Sequence, residues 1–131
     1  MPDTHIPAGM ASIVVDPAGM EWSPTKFPGI AIKVLLQDHA TGLLTALFRW
    51  EPGSVLPDHK HVQIEQSYVL EGSIEDEEGE VTAGQYAARP AGSRHVARSR
   101  NGALILAVFL EPNRFFAADG RAERFDTKPA A

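Results

Sequence analysis

Residues 53–72 read Gly53-Ser-Val-Leu-Pro-Asp-His59-Lys-His61-Val-Gln-Ile-Glu65-Gln-Ser-Tyr68-Val-Leu-Glu-Gly72. His59 and His61 stand two apart, so on a strand both imidazoles leave the same face. Inside a β-sandwich that face is either the core or a cavity. Two neutral imidazoles converging in a core are costly unless something binds their ring nitrogens. On one straight strand the six steps from His59 to Glu65 would cover about 20 Å, too far for a shared ligand. The chain must turn through Val62-Gln63-Ile64 if the carboxylate is to join the histidines. His95 follows some thirty residues after Glu65, just behind Pro90-Ala91-Gly92, a turn sequence able to return the chain to the same cavity.

Outward from this stretch the chain reads as short apolar runs separated by turn residues. Gly29–Gln37 and Leu43–Trp50 are two candidate strands joined by a polar turn over Asp38–Gly42, and Glu51-Pro52-Gly53 closes the second. Glu65–Gly72 and Ser73–Asp76 follow, then the acidic turn Asp76–Gly79. Gln85–Pro90, His95–Ser99 and Ala103–Glu111 complete the series. Strands with turn signals every 8–12 residues or so predict an all-β sandwich or barrel. Upstream, Pro2, Pro7, Pro17, Pro24 and Pro28 break any helix, and Ser12–Asp16 (SIVVD) is the one strand-like island.

Composition narrows the function classes. The 131 residues are enough for one domain with its own core. Lys and Arg number 12 against 17 Asp and Glu, a net charge of −5, which argues against nucleic acid or an anionic membrane as partner. With no cysteine, disulfides, thiolate catalysis and Cys-ligated metals are excluded. The longest apolar run, Ala103–Leu110, is too short to span a bilayer. The first ten residues show no basic and apolar secretion signal, so a cytoplasmic location is expected.

Two motifs carry a resemblance. Residues 53–72 place Gly53, His59, His61, Glu65 and Gly72 at every fixed position of the first cupin motif, G(X)5HXH(X)3-4E(X)6G. From average composition those five residues coincide by chance in on the order of one chain in 10⁵. Residues 84–95 place Gly84, Pro90, Gly92 and His95 as in the second motif, G(X)5PXG(X)2H(X)3N. The last position departs: Ser99 stands where cupins usually have Asn, and Asn101 comes two residues late. Among cupins, the chain is similar to small acetylacetone-cleaving and dihydroxyacetophenone dioxygenases and to the cupin domain of ChrR-type anti-sigma factors. The residues behind this are Tyr68-Val-Leu-Glu-Gly72, the Asp76–Gly79 turn, Ala87-Ala-Arg-Pro-Ala-Gly92 and the exit from Phe109 to Gly120.

The resemblance implies a jelly-roll β-barrel with one divalent metal held by His59, His61, Glu65 and His95. Imidazole and carboxylate donors suit Fe(II), Zn(II), Mn(II), Ni(II) or Co(II), and the dioxygenase relatives favour Fe(II). It further implies an oxidoreductase that cleaves a C–C bond of a small 1,3-diketone or hydroxyketone with O₂, assembled as a homodimer. The alternative is a non-catalytic cupin that senses a metal or small ligand; such sensors usually sit beside another domain. The domain reading is an extended segment with one short strand over 1–28, a cupin domain over 29–116 and a tail over 117–131 that frays or covers a partner.

The other polar residues have plainer roles to weigh. Gln63, Tyr68 and Arg89 are the candidates for further inward side chains beside the metal. Glu65 is either a ligand or an acceptor that orients a histidine. The acidic run Glu75–Glu80 reads as a solvated hairpin tip that blunts a sheet edge. His5 and His39 lie in turn sequence, and Gly53, Gly72, Gly84 and Gly92 read as turn residues.

Overall fold

The computed structural model describes residues 11–116 and the backbone of Ala122–Arg124. After a 3₁₀ turn at Pro17–Gly19, the strands are β1 (Ser23–Pro24), β2 (Ile30–Asp38), β3 (Leu43–Trp50), β4 (Ser54–Lys60), β5 (Glu65–Asp76) and β6 (Gly79–Thr82). They continue as β7 (Tyr86–Arg89), β8 (Arg94–Ser99), β9 (Ala103–Phe109), β10 (Arg114–Phe116) and β11 (Ala122–Arg124). All pairings are antiparallel, in the order β1-β2-β3-β9-β5-β8-β4-β10-β11, with β6 and β7 also on β5. This curled sheet is the all-β jelly-roll architecture expected. Among the described residues no helix is long and apolar enough to cross a membrane.

The inward face follows from period-two alternation. On β3, Leu44, Ala46, Phe48 and Trp50 are buried; on β9, Ala103, Ile105, Ala107 and Phe109 are buried. The register sets Trp50 opposite Ala103, Phe48 opposite Ile105 and Ala46 opposite Ala107, so these side chains share the inward face of one strand pair. Phe48 and Phe109 meet edge to face at 6.0 Å.

β5 is long because it serves both layers. Residues 65–72 pair with β9 and β7, whereas Ser73–Asp76 pair with β6 and Glu75 reaches β8. The bend falls at Gly72, with φ 72°. A Cβ there would lie 1.9 Å from the Gly102 carbonyl oxygen, the same oxygen that accepts from Ser73 N at 3.1 Å. Only glycine meets both conditions.

β4 carries a proline. Pro57 has no N–H to give the ladder, and the β4–β8 register shifts between Leu56 and His59. Beyond this irregularity His59 pairs with His95 on one side and with Phe115 of β10 on the other.

One strand expectation fails. Ser12–Asp16 is not a strand: it has no ladder partner among the described residues, and Val14 is 92% exposed. Asp16 instead caps the 3₁₀ turn, accepting from Ala18 N at 3.1 Å. The short strand within this segment is Ser23–Pro24, on β2. His5 and most of the 117–131 tail lie outside the described residues.

Candidate metal centre

His59 is the penultimate residue of β4, His61 lies just past its end, and His95 faces His59 from β8. Their ring centroids are 4.4–5.1 Å apart, and each offers a ligand atom within 4.8 Å of the others. His59 and His61 are each only 1% exposed.

Each Nδ1 meets an acceptor. His59 Nδ1 donates to the Pro57 carbonyl at 2.8 Å. His61 Nδ1 donates to Ser93 Oγ at 2.8 Å and shares the Ser93 carbonyl at 3.1 Å. Ser93 Oγ spends its own hydrogen on the Pro90 carbonyl, so it can only accept from His61. His95 Nδ1 donates to Asp76 Oδ2 at 2.6 Å. These partners assign the proton to Nδ1 throughout and leave Nε2 with a lone pair. Burial drives the His59 imidazole down to about 4, with the Pro57 carbonyl offsetting part of the shift; the ring is neutral near pH 7, the form a metal requires.

Glu65 opens β5, brought back by the turn after His61 as expected. Its Oε2 lies 2.8 Å from His61 Nε2, a buried nitrogen with no well-aligned hydrogen bond among the described residues. A carboxylate oxygen this close to a ring nitrogen is held there by a cation, either a metal ion or the proton of an imidazolium. Neighbouring donor atoms about 2.1 Å from one ion lie about 3 Å apart, so the spacing fits two ligands of a shared metal. The triad can hold a metal ion, and Glu65 stands beside its His61.

Arg89 and Asp76 complete the network. Arg89 Nη1 approaches Asp76 Oδ2 at 3.1 Å, and the Asp76 side chain is only 3% exposed. Burial works to raise the Asp76 carboxyl, but the His95 hydrogen bond, the Glu78 N–H and the Arg89 charge outweigh it and hold it below the ordinary value. The acidic run is therefore not uniformly solvated. Asp76 turns inward as the carboxylate behind His95, while Glu77 and Glu78 form the exposed tip.

A cavity of about 50 Å³ opens beside the histidines, walled by Phe48, Trp50, Leu56, Ile105, Phe109 and Phe115. Its polar lining is His59, His95, Glu65, Arg89, Ser67 and Asn113. Of the three further candidates, Arg89 lines this cavity. Tyr68 does not: it is 43% exposed, because Glu65, Ser67 and Val69 occupy the inward positions of β5 and Tyr68 falls between them. Gln63 is exposed at the turn, so it too points away from the cavity. His39 is also exposed. Ser99, the departure from the motif, is fully buried and donates to the Ser73 carbonyl at 2.6 Å, bracing β8 against β5. Asp76 and Asn113 escaped sequence reasoning; the inward parity of Ile74 and Asp76 after the Gly72 bend was the available signal for the first.

Residues 10–113 match the profile of the ChrR Cupin-like domain. A comparison with curated sequences finds no match. Among solved structures, the chain is similar to an acetylacetone dioxygenase from Acinetobacter johnsonii, at 20% identity and TM-score 0.80, covering 93% of this chain and 91% of that one. It is similar to a candidate acetylacetone dioxygenase from Methylibium petroleiphilum PM1, at 22% identity and TM-score 0.79, covering 92% and 91%. The Rhodobacter sphaeroides complex of SigE with the anti-sigma ChrR also matches, at 22% identity and TM-score 0.61 over 70% of this chain and 49% of that one.

Proposed function

The chain belongs to the ChrR cupin-like family, and from its histidine triad and its similarity to acetylacetone dioxygenases we propose a metal-dependent cupin dioxygenase that cleaves a C–C bond of a small diketone or hydroxyketone. His59, His61, His95 and Glu65 hold one divalent first-row ion, Fe(II) in the working enzyme. The observation that carries the metal reading is the convergence of His59, His61 and His95, whose ligand atoms lie within 4.8 Å of one another.

The metal, when bound, supplies a Lewis acid for a chelated carbonyl and electrons for dioxygen. Everything else is done by the chain. Pro57, Ser93 and Asp76 fix the three imidazoles by their Nδ1 hydrogens, so that Nε2 always faces the site. Phe48, Trp50, Phe109 and Phe115 exclude water. The cavity volume matches about four water molecules, which favours a small aliphatic substrate over an aryl ketone. Four protein donors leave two positions on a six-coordinate ion, enough for a chelating ligand.

We propose further that the protein works as a homodimer. The outward residues Leu47, Leu106, Tyr68 and Tyr86 align in one cross-strand row, and Tyr68, Leu70 and Tyr86 remain exposed. An apolar row of this kind is suited to a second copy.

The regulator reading draws on the similarity to the anti-sigma ChrR. Oxygen uptake separates the two. With a panel of small ketones the Fe(II)-loaded protein is expected to consume O₂ and the Zn(II)-loaded protein to consume none, since Zn(II) has no accessible redox change. Silence from fully loaded Fe(II) protein would transfer the function to non-catalytic metal or ligand binding.

A further inference from the structure

We infer that Asn113 is the ligand-recognition residue of the barrel cavity, and that it selects a small aliphatic carbonyl compound bearing a hydroxyl over a plain diketone. The inference rests on the metal-dependent reading above and names its substrate class.

Asn113 lines the cavity and is only 3% exposed. Among the described residues its buried Oδ1 has no hydrogen-bond partner. A buried amide oxygen without a donor is a costly arrangement that folded proteins avoid unless a ligand or water completes it. The neighbouring wall is apolar: Phe109, Phe115 and Ile105 have nothing to donate. Arg89, a donor lining the cavity, is engaged by Asp76.

Position gives the oxygen its partner. On β10, Arg114 pairs with Lys60 and Phe115 with His59. Asn113 precedes them and is buried like Phe115, whereas Arg114 between them is exposed. Its side chain therefore shares the face of the strand pair that carries His59, beside the histidine end of the cavity. An acceptor there calls for an O–H on the ligand. A diketone held as its enolate has no such hydrogen. A hydroxyketone of the same skeleton offers one, and the small volume excludes bulky bearers of a hydroxyl.

The test is calorimetric titration of the Zn(II)-loaded protein, which binds without turning over, with acetoin, diacetyl and acetylacetone. Acetoin and diacetyl share a carbon skeleton and differ by one hydroxyl. The parent should bind acetoin roughly tenfold more tightly than diacetyl, the factor expected of one hydrogen bond to a buried acceptor. Asn113→Leu should erase that preference, and Asn113→Asp, which keeps an acceptor oxygen, should retain it. Equal binding by the parent, or a preference that survives Asn113→Leu, overturns the inference while acetylacetone binding leaves the metal-ketone reading intact. If none of the three binds, that reading falls and this one with it. Should Asn113→Leu fail to fold, the parent's own preference and that of Asn113→Asp still decide.

Discussion

His95 Nδ1 lies 2.6 Å from Asp76 Oδ2, a buried carboxylate bonded to a partly buried imidazole across two strands. The contact fixes which nitrogen of His95 carries the proton and how the ring is turned. Asp76→Asn keeps the shape but lets the amide present either end, so the ring loses its single orientation and Arg89 keeps only the more distant, exposed Glu78 as counter-charge. Metal affinity is expected to fall about 10- to 100-fold with the fold retained. A chelator-competition titration with far-ultraviolet circular dichroism checks both; parent affinity in Asp76→Asn would show the contact to be incidental.

Gly72→Ala should be among the most damaging single substitutions. It sets a Cβ against the Gly102 carbonyl oxygen and demands a positive φ of alanine. Together these cost roughly 2–5 kcal/mol. Gly53 has a similar φ but open space around it, so Gly53→Ala should cost clearly less. Thermal melts of the two variants give the comparison, and equal losses would remove the close approach as the cause.

The metal-free protein should weaken in mild acid. His59 titrates at about 4 in the fold and near 6.5 when unfolded. Between those values the unfolded chain binds more protons than the folded one, so stability falls as pH drops through that window. The full contribution is on the order of 3 kcal/mol, present above about pH 6.5 and lost by about pH 4. Urea midpoints of chelator-stripped protein at pH 7 and pH 4.5 measure it. Identical midpoints would mean His59 is not buried as described.

The homodimer is tested on its row of outer residues. Tyr68→Glu and Leu106→Glu place charge opposite each other across β5 and β9, with neither side chain in the cavity. Sedimentation equilibrium should give a dimer for the parent and a monomer for the double variant. A parent species near 14 kDa across the micromolar range would exclude the assembly.

Much of this was legible in the residues. The alternation of β3 and β9 announced a sandwich, and the spacing of His59, His61 and Glu65 announced both the site and the turn within it. β4 was hidden because Pro57 and Asp58 interrupt its pattern, although that interruption shapes the strand next to His59. Asp76 was obscured by its acidic neighbours: which carboxylate turns inward depends on the Gly72 bend, a long-range contact with Gly102. Tyr68 was misjudged where parity from Glu65 would have excluded it. Asn113 follows Pro112 in a segment without alternation, and only the pairing of β10 with β4 brings it to the cavity.

The central claim is that three histidines and their carboxylate neighbour form one metal site. Elemental analysis of the parent and of His59→Ala/His61→Ala, each purified without chelator and then dialysed against Fe(II) under anaerobic conditions, tests it most directly. The account predicts about one metal per chain in the parent and none above background in the double variant, which keeps its β-rich circular dichroism. Equal metal content in the two would contradict it.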